Sequence, residues 1–94
     1  MTKKEMFISA IEKLGYKEGC IDPMIEKLSK AAIKELIAHI PYASTDVDVK
    51  IRGRLHVVEI VVVDDESERR EVDIMILTQD EYISRYGDER WDND

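Results

Sequence analysis

A single cysteine, Cys20, stands among the 94 residues, so no disulfide can form within the chain. That suits a reducing, intracellular setting and points to a cytoplasmic protein. Histidine is nearly as scarce. His39 and His56 are the two present, and with Cys20 they form neither a C-x-x-C nor an H-x-x-x-H pair. A zinc site would need carboxylates to complete it, and no ligand spacing announces one. Glycine-rich phosphate loops are absent, since "RGR" (residues 52–54) is a turn with one glycine. No serine sits in a nucleophile-elbow sequence. Apolar runs reach only four residues, as in Ile60 to Val63, against the roughly 20 a membrane-spanning helix requires. The opening "MTKKEMFISAIEKLG" is interrupted by Glu12 and Lys13 and lacks a small-residue cleavage site, so no secretory leader is expected. Neither a cofactor nor a metal is expected.

Positive charge is also in short supply. Net charge is −7, and its distribution is uneven. Residues 1–41 carry seven lysines against six acids, whereas residues 42–94 carry seven basic residues against fifteen acids. Attraction to nucleic acid or to an anionic membrane surface needs a cationic face, so neither is an expected direct partner. An acidic surface favours basic partners, mainly by speeding encounter.

What is present is patterned. Thr2 and Glu5 form a capping box, and Phe7, Ala10, Ile11 and Leu14 follow at helical spacing, with Gly15 as the stop. "YKEGCIDP" reads as a connector. Asp22 and Pro23 open a second helix that runs to Pro41, its apolar side traced by Ile25, Leu28, Ala32, Leu36 and Ile40 and widened by Ile33 and Ile37. "VDVKI", "LHVVEIVVV" and "EVDIMIL" (residues 47–51, 55–63 and 71–77) read as three strands joined by short turns, hence an antiparallel meander with the long strand at its centre. Thr78 and Glu81 repeat the capping box and start a short helix ending near Gly87. The expected fold is α+β: two N-terminal helices packed on a three-stranded antiparallel meander, followed by a short C-terminal helix. Residues 1–87 form a single domain and residues 88–94 an acidic tail.

Pairing Val62 with Val72 sets Ile60 opposite Ile74 and Val58 opposite Ile76, one clean aliphatic face that should take the first two helices. The other face mixes Val57, Val61, Val63, Met75 and Leu77 with Glu59, Glu71 and Asp73. Either Tyr82, Ile83, Tyr86 and Trp91 fold over it, or it is partly exposed and takes a partner or a second copy. Trp91 itself either closes the core or acts as an aromatic anchor in the acidic tail. Asp46, Asp48 and Lys50 on the first strand, and Arg69, Arg70, Glu71 and Asp73 around the third, read as charges guarding sheet edges.

"DDESERRE" (residues 64–71) packs five acids and two arginines into one turn region. Asp64, Asp65, Glu66 and Glu68 are too nearly consecutive, and too poor in glycine, for a calcium loop. A solvated hairpin tip also offers no cleft in which two carboxylates would take separate acid and base roles. They read as a solvated turn or as an acidic finger for a basic partner. Cys20 lies at the start of the second helix and His39 at its far end, too distant to pair as nucleophile and base. Lys27, Lys30 and Lys34 read as a solvated helix stripe, without neighbouring aromatics to stack bases.

No catalytic set emerges, so the chain is expected not to be an enzyme. The expected function is a small acidic protein-binding module that docks on a basic protein surface through Asp64, Asp65, Glu66, Glu68, Val57, Val61, Met75 and Trp91. Inhibitors and immunity-type proteins of mobile elements share this build, and where the target's site binds nucleic acid the carboxylates would stand in for phosphates. The alternative is a structural protein that forms a homodimer or larger homo-oligomer through the second sheet face.

Overall fold

The computed structural model describes residues 1–42, 45–64 and 70–91, the side chains of Tyr42 and Asp64 apart. It is an α+β fold with three α-helices and a four-stranded mixed sheet. In chain order come α1 (Lys3–Lys13), β1 (Lys17–Ile21), a 3-10 turn (Pro23–Lys27), α2 (Lys30–His39), β2 (Thr45–Ile51), β3 (Arg54–Asp64), β4 (Arg70–Thr78) and α3 (Gln79–Tyr86). A short 3-10 turn, Glu89–Trp91, follows α3. Among the described residues no helix is long and apolar enough to cross a membrane.

The expected three-stranded meander is present as β2, β3 and β4, but it is not the whole sheet. The strand order is β1-β4-β3-β2, with β1 parallel to β4 and the other pairings antiparallel. "KEGCI", read above as a connector, is an edge strand in which only Ile21 is buried. Its apolar content could not announce it, because hydrogen bonds hold it rather than burial. Between Glu18 and Ile21 the pairing slips by one residue against β4. The Asp73 carboxylate fills the resulting bulge, accepting from the Cys20 amide at 2.9 Å. Asp22 then ends the strand. Its own amide donates to the Ile74 carbonyl at 2.9 Å, and its carboxylate accepts from the Ile76 amide at 3.0 Å and the Met24 amide at 2.9 Å. One side chain thus replaces a ladder bond on β4 and caps the 3-10 turn.

This pairing corrects the edge argument. β4 lies between β1 and β3, so Arg70, Glu71 and Asp73 do not guard an outer strand; Asp73 is part of the β1 junction. Arg69 lies outside the described residues.

The second helix is also not continuous. Leu28 is extended, with φ −78° and ψ 153°, and separates the 3-10 turn from α2. Ser29 caps α2 by accepting from the Ala32 amide at 3.1 Å. Freed from helical bonding, the Leu28 carbonyl accepts from Lys3 Nζ. Glu26 accepts from the Lys3 and Lys4 amides at 3.0 and 3.2 Å, so the turn caps the start of α1. The apolar period runs across the break because Ile25, Leu28, Ile33, Leu36 and Ile40 all enter the same core.

The β3–β4 register is the expected one: Val62 faces Val72, Ile60 faces Ile74 and Val58 faces Ile76. Val47, Val49 and Ile51 of β2 extend this layer, and Phe7 and Ile11 of α1 cover it together with the turn and α2. Truncating a fully buried member such as Ile60 to alanine would cost about 2–5 kcal/mol. The β2–β3 connection is a two-residue hairpin, Arg52 and Gly53, both left-handed at φ 53° and 78°.

The β1 junction is tight enough to test. A Cβ on Gly19 would lie 2.1 Å from Asp73 Oδ1 and 3.0 Å from the Val72 carbonyl oxygen. Gly19→Ala is expected to lower unfolding stability by about 1–3 kcal/mol in urea titrations. Its cost should shrink when Asp73 is already alanine. Equal costs in both backgrounds would mean that Asp73 does not occupy the bulge.

Candidate functional site

The site is built from the second face of the sheet. Successive rows across β3 and β4 place Val57 beside Leu77, Glu59 beside Met75, Val61 beside Asp73 and Val63 beside Glu71. Asp48 and Asp46 of β2 extend the first two rows.

Thr78 and Glu81 fix where α3 begins. The Glu81 amide donates to Thr78 Oγ1 at 3.1 Å, and the Thr78 amide donates to Glu81 Oε1 at 3.0 Å. The bond from the Thr78 amide, then that from its hydroxyl, holds the Glu81 carboxyl below its usual 4.5. A depressed folded-state value means that this contribution is present above about pH 4.5 and is lost as pH falls through the lowered value.

From that start, helical spacing turns Tyr82, Arg85 and Tyr86 toward the sheet. Tyr82 donates to Asp46 at 3.4 Å, Tyr86 donates to Glu59 Oε2 at 3.1 Å, and Arg85 approaches the Met75 sulfur at 3.3 Å. Beyond the helix, Arg90 pairs with Asp48 at 2.6 Å. Trp91 packs edge-on against Tyr82, centroids 5.2 Å apart, with the Arg90 guanidinium 5.5 Å from each ring.

This face is covered at one end and open at the other. At the α3 end, Val57 is fully buried and Leu77 only 3% exposed. Toward the β3–β4 hairpin, Val61 is 40%, Val63 45% and Met75 44% exposed. Val61 and Val63 follow each other on one face of β3, and Met75 lies diagonally across on β4, so the three form one strip. Glu59, Asp73 and Glu71 border it on the same face.

A groove of about 350 Å³ runs along the strip between Val61, Met75, Asp73 and Cys20 on the sheet side and Arg85 and Tyr86 on the helix side. Glu59 also lines it. Its Oε1 is sealed from solvent without a hydrogen-bond partner among the described residues, while its Oε2 takes the Tyr86 hydroxyl. Such an orphaned oxygen costs about 1–3 kcal/mol, which the fold tolerates at this point. No histidine lines the groove, so Cys20 has no imidazole base beside it there.

The sequence-derived site residues separate accordingly. Val61 and Met75 lie on the open strip. Val57 lies buried at the α3 end and offers no surface. Trp91 is half-buried against Tyr82. Asp64 ends β3, paired with Arg70. Asp65, Glu66 and Glu68 lie outside the described residues. Sequence reasoning missed Glu59, Arg85 and Cys20 as groove residues. The Thr78–Glu81 capping box was the available signal for Arg85, since it sets the phase that points position 85 at the sheet. Cys20 required knowledge of β1. No protein-family model, curated protein or solved structure matches the chain.

The Tyr86–Glu59 contact has a pH signature. Its hydrogen bond to Glu59, then the carboxylate charge, raises the Tyr86 phenol above its usual 10.0, with Arg85 acting in the opposite sense. A raised folded-state value gives stability that is fully present below pH 10.0 and is lost as pH rises through the higher value. Chemical denaturation of the native chain is therefore expected to show a steeper alkaline loss of stability than that of Tyr86→Phe. Parallel alkaline curves would mean that the phenol does not donate to Glu59.

Proposed function

We propose that this chain is a non-enzymatic protein-binding module whose docking surface is the open half of the second sheet face. The observation that carries the reading is the strip of Val61, Val63 and Met75. These are three apolar side chains on a hydrogen-bonded sheet, each two-fifths or more exposed, with carboxylates along their border. An apolar strip framed by charge is the usual form of an interaction site. The apolar centre supplies contact energy, while the acids select a basic partner and speed its approach.

In sequence the acidic run Asp64, Asp65, Glu66 and Glu68 directly follows Val63, so its charge adds to the preference for a basic partner. A partner whose own site binds nucleic acid offers the matching positive surface, and the module then acts as an inhibitor or immunity-type protein. An exposed Cys20 thiol and no second cysteine suit a cytoplasmic setting.

A second reading draws on the same strip: a second copy of the chain covers it, in a homodimer. Acids along both copies of the border oppose that pairing, which favours a basic partner.

Photo-crosslinking separates these readings. A photoreactive residue at Val63 is expected to form one dominant, salt-sensitive adduct in cell lysate, whereas one at Lys34 on α2 should not. Glu71→Ser with Asp73→Ser should weaken the Val63 adduct. A product of twice the chain mass would favour the homodimer, and matching adducts from both positions would overturn the docking surface.

A further inference from the structure

A second, chemically opposite site lies at the other end of β3. β3 is eleven residues long, so its ends are ten steps, about 33 Å, apart at roughly 3.3 Å per residue. There a hollow of about 600 Å³ is lined by Met24, Lys27, Ile51, Arg52, Arg54 and His56. This volume falls within the range of small-ligand pockets.

The lining is unexpected for this chain. Acids outnumber basic residues 21 to 14 overall, yet among the described residues no carboxylate lines the hollow. The side chains of Lys27, Arg52 and Arg54 form no hydrogen bond or ion pair among the described residues. Three unneutralised cations around one hollow repel each other unless an anion joins them.

The backbone holds them there. Arg52 occupies the left-handed region, at φ 53°, in a hairpin position that asparagine or glycine fills more comfortably. An arginine there costs about 1–2 kcal/mol of local strain. The Arg52–Gly53 turn sets Arg52 and Arg54 on either side of one glycine. The break at Leu28 separates Lys27 from the solvated run of α2 and leaves it beside them.

His56 completes the site. It is only 7% exposed, and its Nδ1 is 2.9 Å from the Arg54 carbonyl oxygen. A carbonyl only accepts, so Nδ1 carries the proton and donates. Among the described residues Nε2 makes no hydrogen bond; His56 and Arg54 also line a neighbouring hollow with Thr78, Gln79 and Asp80, so the imidazole stands between the two. Met24 and Ile51 supply the apolar wall.

We propose that this hollow binds a phosphorylated small molecule. The two guanidinium forks and Lys27 take the phosphate oxygens, His56 Nε2 makes a further polar contact, and the body of the ligand rests on Met24 and Ile51. A nucleic-acid chain is disfavoured because the protein as a whole would repel a polyanion.

The test uses the full-length, isotope-labelled chain followed by NMR, with phenyl phosphate, inorganic phosphate and benzyl alcohol as probes. Phenyl phosphate is expected to shift the Lys27, Arg52, Arg54 and His56 signals saturably. Inorganic phosphate should bind the same residues more weakly, and benzyl alcohol should not bind. Arg52→Gly combined with Arg54→Gln should weaken phenyl phosphate about tenfold or more. Arg52→Gly suits the left-handed turn, so this variant should keep the dispersed spectrum of the native fold. Absence of saturable shifts, equal shifts at Lys30 and Lys34, or unchanged affinity in the folded variant would each overturn the proposal.

Discussion

Everything in this molecule hangs on the register between β3 and β4. Side chains alternate along a strand, so sliding one strand by a single residue would send its whole apolar set to the opposite face. With Val62 opposite Val72, the residues Val58, Ile60, Val72, Ile74 and Ile76 form one continuous layer, and α1, the 3-10 turn and α2 bury it. The same register forces Val57, Glu59, Val61 and Val63 to the other side, along with Glu71, Asp73, Met75 and Leu77. The mixed composition of the second face is thus the necessary counterpart of the core.

Length explains why that second face is only partly covered. α3 has eight residues, about 12 Å of helix at 1.5 Å per residue. The face along β3 is about three times as long. α3 starts directly after β4, where Thr78 caps it, so it covers the Val57–Leu77 end and stops. Its contacts there are mostly polar, Tyr82 to Asp46 and Tyr86 to Glu59, and the following turn adds Arg90 to Asp48. They fasten a short helix that buries little of its own surface. It leaves Val61, Val63 and Met75 two-fifths or more exposed, with the Arg85 and Tyr86 side chains only edging the strip.

The elements that could be read in the sequence are those whose own residues specify them. Both capping boxes lie where Thr2–Glu5 and Thr78–Glu81 placed them, and the alternation of β2, β3 and β4 gave the register directly. β1 escaped because four of its five residues stay outside the core. Its strand identity comes from β4: Asp73 bonds the Cys20 amide and the Ile76 amide bonds Asp22, each across more than fifty positions. The break at Leu28 escaped because the apolar spacing continues through it, and only Ser29 marked a new start. Half of the site was legible: the face was identified, but which half α3 covers depends on helix length and starting point. The basic hollow was invisible because Lys27 and the Arg52–Arg54 pair meet only through the fold.

The molecule thus carries acids along an apolar strip at one end of its sheet and cations around a hollow at the other, with α3 over only part of the intervening face. The direct test of this arrangement is solvent paramagnetic relaxation of the side-chain methyls, using a neutral soluble probe. Strong broadening is expected at Val61, Val63 and Met75, and protection at Val57 and Leu77. Protection of all five would contradict it, since the strip would then be covered by the chain itself or by a second copy.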